Sequence, residues 1–181
     1  MSTGFAGRAP TSEVVTGSTP DAAHRTPGTE RKTPVAIALG SNIGDRERHL
    51  RFAVERLATF LTDLRVSPLI ETQPQGVSPQ PLFLNAAAVG DTTLGARRLL
   101  DALLAIERER GRTRPHSGAP RTLDLDLVLF GRDTIDEPGL TVPHPRFRNR
   151  RFVLEPLAAV APAMIDPVTG LTVEELLQRC P

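Results

Sequence analysis

A chain of 181 residues suits one domain with a sizeable core and some spare length. Its net charge of +1 and pI of about 8.1 supply no general polyanion-binding field, which argues against nucleic acid as a partner, and no apolar run approaches the roughly 18 residues of a membrane span. Lys32 is the one lysine among 22 basic residues, and arginine is the cation whose planar fork grips phosphate with two bonds.

Residues 1–33 are rich in Ser, Thr, Gly, Pro and Ala and carry no apolar periodicity, so they read as a disordered tail, with an organellar peptide or a linker remnant as alternatives. The ordered domain, 34–181, starts with Val35-Ala36-Ile37-Ala38-Leu39, a short buried strand. The turn Gly40-Ser41-Asn42-Ile43-Gly44-Asp45 follows, and Leu50, Ala53, Val54, Leu57, Ala58 and Leu61 recur at the three- and four-residue steps of an amphipathic helix. The turn is no P-loop, because no Gly-Lys-Ser/Thr closes it; Ser41, Asn42 or Asp45 would cap the helix instead.

A second strand is expected over Leu64 to Thr72, a proline-rich loop over Gln73 to Pro81, and a third strand over Leu82 to Val89. Leu94 to Arg110 reads as the second long helix, stopped by Gly111, with Arg110 a surface partner of Glu107 and Glu109. The loop Arg112 to Pro120 leads into Arg121-Thr122-Leu123-Asp124-Leu125-Asp126 and the apolar run Leu127 to Phe130, a strand buried on both faces. A turn or hairpin over Gly131 to Thr141, a helix over Arg146 to Val160 and a short one over Val173 to Gln178 complete the pattern. Strand, helix, strand, strand, helix, strand is the βαββαβ order of ferredoxin-like α+β folds, with the first and last strands expected side by side at the sheet centre.

Asp124 and Asp126 fall on one strand face with α-carbons about 7 Å apart, so both carboxylates can meet one hard cation or bridge two. Alone such a pair is weak evidence, since most are solvated strand faces. The nearby Arg112, Arg114 and Arg121 strengthen it, because metal plus arginine forks is the equipment for binding a polyphosphate. With no Trp or Tyr, stacking on a ligand falls to one of seven Phe, with His or Arg as lesser options. Phe83 and Phe152 on their own read as core rings, whereas Asn85, an amide inside an apolar strand, needs partners. The single cysteine, Cys180, fits a reducing compartment such as the cytoplasm.

Leu39-Gly40-Ser41-Asn42, Phe83-Leu84-Asn85-Ala86, Gly111-Arg112-Thr113-Arg114, Pro120 to Asp126 and Val142-Pro143-His144-Pro145 occur in that order. Together they resemble the 6-hydroxymethyl-7,8-dihydropterin pyrophosphokinase family over roughly residues 34 to 180. The resemblance implies a ferredoxin-like fold and a reaction in which ATP gives its β,γ-pyrophosphoryl group to the pterin hydroxymethyl oxygen and AMP leaves. It implies that Asp124 and Asp126 hold two Mg²⁺, one between the α- and β-phosphates and one between the β- and γ-phosphates and the hydroxyl. It also implies that Arg112 and Arg121 neutralise phosphate charge, and that Glu107, Arg114, Thr141, His144 and Arg150 bind ATP. Phe83 and Phe152 would sandwich the pterin, with Asn85 and Thr72 reading its edge. A cytoplasmic monomer with ATP and a pterin as its partners is the expectation. The chain departs from the family pattern at Gly118-Ala119, where many members have Trp-Gly, and at Gly139 and Gln73. Two rivals remain open: another Mg²⁺-dependent nucleotidyl or phosphoryl transferase with an Asp-X-Asp strand, and a non-enzymatic ferredoxin-like binding module.

Overall fold

Apolar residues run unbroken through Val35–Leu39 and Ala86–Val89, so both sheet faces need cover, and the helices supply it. In the computed structural model, which describes residues 31–74, 80–111 and 119–181, the elements run β1 (Thr33–Ser41), α1 (Arg46–Leu57), β2 (Thr62–Val66), β3 (Ile70–Thr72), β4 (Phe83–Thr92), α2 (Ala96–Glu109) and β5 (Asp124–Phe130). Then come the hairpin β6 (Ile135–Glu137) and β7 (Leu140–Val142), a 3-10 turn Phe147–Asn149, α3 (Arg151–Val160) and α4 (Val173–Arg179). The main sheet is antiparallel with order β2-β4-β1-β5, and β3 also pairs with β4. This is the ferredoxin-like α+β arrangement expected from the sequence.

Val35, Ile37 and Leu39 of β1 face α1 and α2, packing with Leu50, Ala53 and Leu57 and with Leu99, Leu103 and Ile106. Ala36 faces the other way with Ala87, Val89 and Leu129, under Val153, Leu154 and Leu157 of α3 and Val173 and Leu176 of α4. Each large side chain so buried contributes about 1.5–3 kcal/mol. Asp45 caps α1 by accepting from the Arg48 amide at 3.0 Å, and Thr172 with Glu175 forms a reciprocal capping box on α4.

Four expectations need correction. First, β5 lies beside β1 as expected but ends the strand order, and the central pair is β4 and β1. Its residues are nevertheless buried on both faces, because Leu125 and Leu127 meet the first core and Val128 and Leu129 the second. A register shift opposite Ala36/Ile37 produces that change of face, and the Val128 carbonyl accepts from the His144 amide at 2.9 Å. Second, the strand expected over 64–72 is two strands, β2 and β3, because Pro68 has no amide to give the ladder. Ser67 bridges the gap: its Oγ accepts the Ala87 amide at 2.9 Å.

Third, the helix expected from Arg146 begins only at Arg151, after the 3-10 turn and an extended Arg150 (φ −120°, ψ 93°). Residues two apart on a continuous helix diverge by about 200°. The extended residue instead lets Arg150 and Phe152 face one cavity. Fourth, Arg110 is not paired with Glu107 or Glu109: its Nε donates to His49 Nδ1 at 3.0 Å and its guanidinium lies 4.7 Å from the Phe52 ring centre. Glu109 pairs with Arg56 instead. The tail, apart from its last residues, lies outside the described residues, as do 75–79 of the proline-rich loop.

Candidate active site

Register sets the site. Gly40 of β1 pairs with Asn85 of β4 on one side and Asp124 of β5 on the other, which makes a lateral row Asn85–Gly40–Asp124. One pleat further along, Ala38 lies between Ala87 and Asp126. Side chains two apart on a strand share a face, so Phe83, Asn85, Asp124 and Asp126 all emerge on the α3 side of the sheet. That face is open at the start of α3, where Arg150 and Phe152 form the opposite wall of the cavity.

The glycine in the row is a matter of space. A Cβ built on Gly40 would stand 3.2 Å from Asn85 Oδ1, 3.7 Å from the Phe83 ring and 3.9 Å from Asp124 Cβ. The floor between the amide and the carboxylates is therefore bare, with Phe83 and Phe152 among its walls. Asn85, only 5 % exposed, donates from Nδ2 to Thr72 Oγ1 at 2.7 Å, which fixes its amide plane. A cavity with two aromatic rings in its lining and an oriented amide beside them suits a flat heterocycle bearing hydrogen-bonding groups.

The polar half of the cavity carries opposed charges. Asp124 is held by the Arg121 guanidinium. Asp126 accepts no hydrogen bond among the described residues; its Oδ2 lies 3.9 Å from both His144 Nε2 and Arg150 Nη1. Burial and then the Asp124 carboxylate raise the Asp126 pKa, which His144, Arg150 and Arg121 only partly offset. Burial lowers the His144 pKa by more than the Asp126 charge raises it, so its imidazole favours the neutral form. Arg150 lies with its guanidinium carbon 5.5 Å from the Phe152 ring centre. Two adjacent carboxylates, one without a close partner, are the donor set expected for a hard divalent cation that takes its other ligands from water or phosphate. Among the described residues no third His, Cys, Asp or Glu joins them in a metal-binding group.

Of the residues singled out in the sequence, Thr72, Phe83, Asn85, Arg121, Asp124, Asp126, Arg150 and Phe152 line this one cavity. His144 borders it beside Asp126. Two others stand apart from the lining. Glu107 is buried and accepts the Leu125 amide at 2.8 Å, bracing β5 between the two aspartates from the α2 side. Thr141 is exposed on β7 and bonds Asp136 at 3.2 Å. Arg112 and Arg114 lie outside the described residues.

Sequence reasoning missed the residues that hold the loops. Ser41 and Asn42 are not caps; both are buried, and Ser41 Oγ donates to the Thr122 carbonyl at 2.6 Å. Arg46 donates to the Leu82 carbonyl and to Glu71, both at 2.8 Å, beside the strand carrying Phe83. The available signal was two polar residues directly after an apolar strand, where caps and buried hubs look alike.

A family model described as 7,8-dihydro-6-hydroxymethylpterin-pyrophosphokinase matches residues 36–162. The 2-amino-4-hydroxy-6-hydroxymethyldihydropteridine pyrophosphokinase of Pseudomonas aeruginosa is 45% identical over 150 residues, covering 81% of this chain and 91% of the relative. The Bacillus subtilis protein of the same name is 45% identical over 141 residues, covering 77% and 84%. Among solved structures, a Plasmodium falciparum HPPK-DHPS chain superposes with a TM-score of 0.67 at 14% identity. That match covers 82% of this chain but only 44% of the solved one, and it speaks to the fold.

Proposed function

The chain belongs to the 7,8-dihydro-6-hydroxymethylpterin-pyrophosphokinase family, the ATP-dependent enzymes that pass pyrophosphate to a hydroxymethyl-dihydropterin in folate synthesis, and from that premise we propose how its own residues divide the work. The pterin enters the slot between Phe83 and Phe152, its edge read by Asn85 with Thr72 behind it. Its hydroxymethyl group then points along the Asn85–Gly40–Asp124 row toward the carboxylates. That row is the observation carrying the proposal, because Asn85 and the Asp124 carboxylate stand a single strand apart on it.

ATP lies over the polar half, with Arg121 and Arg150 facing its phosphates and His144 at the border. Asp124 and Asp126 fit two Mg²⁺, and the bound ions would neutralise phosphate charge and lower the pKa of the attacking hydroxyl. The pyrophosphoryl group moves from the α-phosphate oxygen to the pterin oxygen, and AMP departs. Catalysis then rests on alignment and on stabilising charge in the transition state. Arg121 serves that end, since its guanidinium already leans on Asp124. Arg112 and Arg114 join the phosphate contacts, while Glu107 acts by holding β5 straight. We propose that it acts on small molecules as a monomer, and we assign it to the cytoplasm. No helix among the described residues is long and apolar enough to cross a membrane.

The test is AMP release from ATP with Mg²⁺, with and without 6-hydroxymethyl-7,8-dihydropterin. AMP should form only when the pterin is present. Pterin-independent AMP, or none at all, refutes the assignment.

A further inference from the structure

Asn42 is 1% exposed and does not line the cavity, yet it touches both loops that do. Its amide N–H donates to the Arg121 carbonyl at 3.0 Å, and its Oδ1 accepts the Arg121 N–H at 2.6 Å. Both backbone polar groups of Arg121 are thus satisfied by one residue, with Ser41 pinning the next carbonyl, that of Thr122. The α-carbon of Arg121 is fixed, and its side chain can swing only about that point, onto Asp124. From the other end of the same amide, Nδ2 donates to Gln80 Oε1 at 3.1 Å and to the Pro81 carbonyl at 3.4 Å. Two residues later the chain reaches Phe83.

We infer that Asn42 is a positioning residue that sets Arg121 against the reacting phosphates and ties that setting to the segment entering the heterocycle slot. The inference rests on the assignment of Arg121 and Asp124 to phosphate transfer made above. An amide is the side chain that serves here, because it offers an acceptor to one loop and a donor to the other. An aspartate keeps the acceptor for Arg121 but turns an oxygen toward the Pro81 carbonyl. An alanine keeps neither and leaves the part-buried Arg121 N–H without its acceptor.

The experiment is a double-mutant cycle on steady-state AMP release, with the wild-type protein confirming the reaction itself. Asn42→Ala should lower kcat by about 100-fold, the scale of a misplacement near 1 Å, with less change in the KM for ATP. In an Arg121→Ala background the same change should cost less than about 3-fold, since the group it positions is gone. Equal losses in both backgrounds would show a merely structural role and overturn the inference, as would an Arg121→Ala variant of normal kcat. Should Asn42→Ala fail to fold, Asn42→Asp decides: kcat within about 5-fold of wild type with a raised pterin KM is expected. A kcat as low as that of Arg121→Ala overturns it. Wild-type protein inactive on the pterin would refute the function itself, a result distinguishable from any of these.

Discussion

Gly40→Ala separates the two halves of the cavity. The new methyl would meet Asn85 Oδ1 at 3.2 Å, so the amide must give by a few tenths of an ångström, whereas Phe83 and Asp124 stay at ordinary contact distance. The fold should absorb it. Gly40 does not occupy the left-handed region, and the loss of unfolded-state freedom favours alanine by about 0.4–1 kcal/mol. That gain offsets the strain on the 2.7 Å Asn85–Thr72 bond, so stability should stay within about 1 kcal/mol of wild type. The pterin, by contrast, loses floor space and meets a tilted amide. One misaligned hydrogen bond of about 1–1.5 kcal/mol plus part of a stacking contact of about 0.5–1 kcal/mol comes to about 2 kcal/mol, or roughly 30-fold in kcat/KM for the pterin. The assay is kcat/KM for the pterin at saturating ATP, beside a melting curve and a titration with Mg-ATP alone. An unchanged pterin kcat/KM, or an equal loss of ATP affinity, would refute the placement of the pterin on this floor.

Asp126→Ala should reduce kcat by at least about 100-fold, since charge neutralisation at the phosphates is lost. Because burial and Asp124 already raise the Asp126 pKa, removing this disfavoured charge should leave the metal-free melting temperature equal or higher at neutral pH. At the far side, Arg148 clasps the fully buried Asp166 with two bonds of 2.7 Å, so Arg148→Ala should cost about 3–5 kcal/mol in denaturant unfolding. Burial acts to raise the Asp166 pKa, but bonds from Arg148, Thr169 and the Val168 amide more than offset it and the net shift is downward. A depressed carboxylate stabilises above its unfolded pKa, about 3.9, and loses that contribution as pH falls through the folded value. The gap in melting temperature between wild type and Asp166→Asn should therefore narrow below about pH 4, and a gap that persists there would count against the ion pair. Thr172→Ala removes the α4 capping box and should cost about 1 kcal/mol by thermal unfolding, with kcat unchanged.

Much of the candidate site's geometry was legible because strand alternation is a local rule. Asp124 and Asp126 share a face whatever they pack against, and Asn85 in an apolar strand announced a buried amide with a partner. The misreadings fall where one residue's local signal admits two tertiary uses. Arg110 beside two glutamates on a helix looks like a surface pair, yet the ring of Phe52 and the nitrogen of His49 offered it a better seat. Ser41 and Asn42 sit where caps belong, and Asp45 takes that task because the helix starts one turn later than they could reach.

Local sequence was enough for the main order of elements, the shared face of Asp124 and Asp126 and the residue types brought to the chemistry. These follow from side-chain period and hydrophobicity, which are properties of neighbours along the chain. Long-range packing alone sets Gly40 between Asn85 and Asp124, turns an extended Arg150 with Phe152 toward them, and makes one buried amide, Asn42, join the two loops. Those relations depend on register and on hydrogen bonds between residues 38 to 79 positions apart, and each is selected by the packing of the whole sheet.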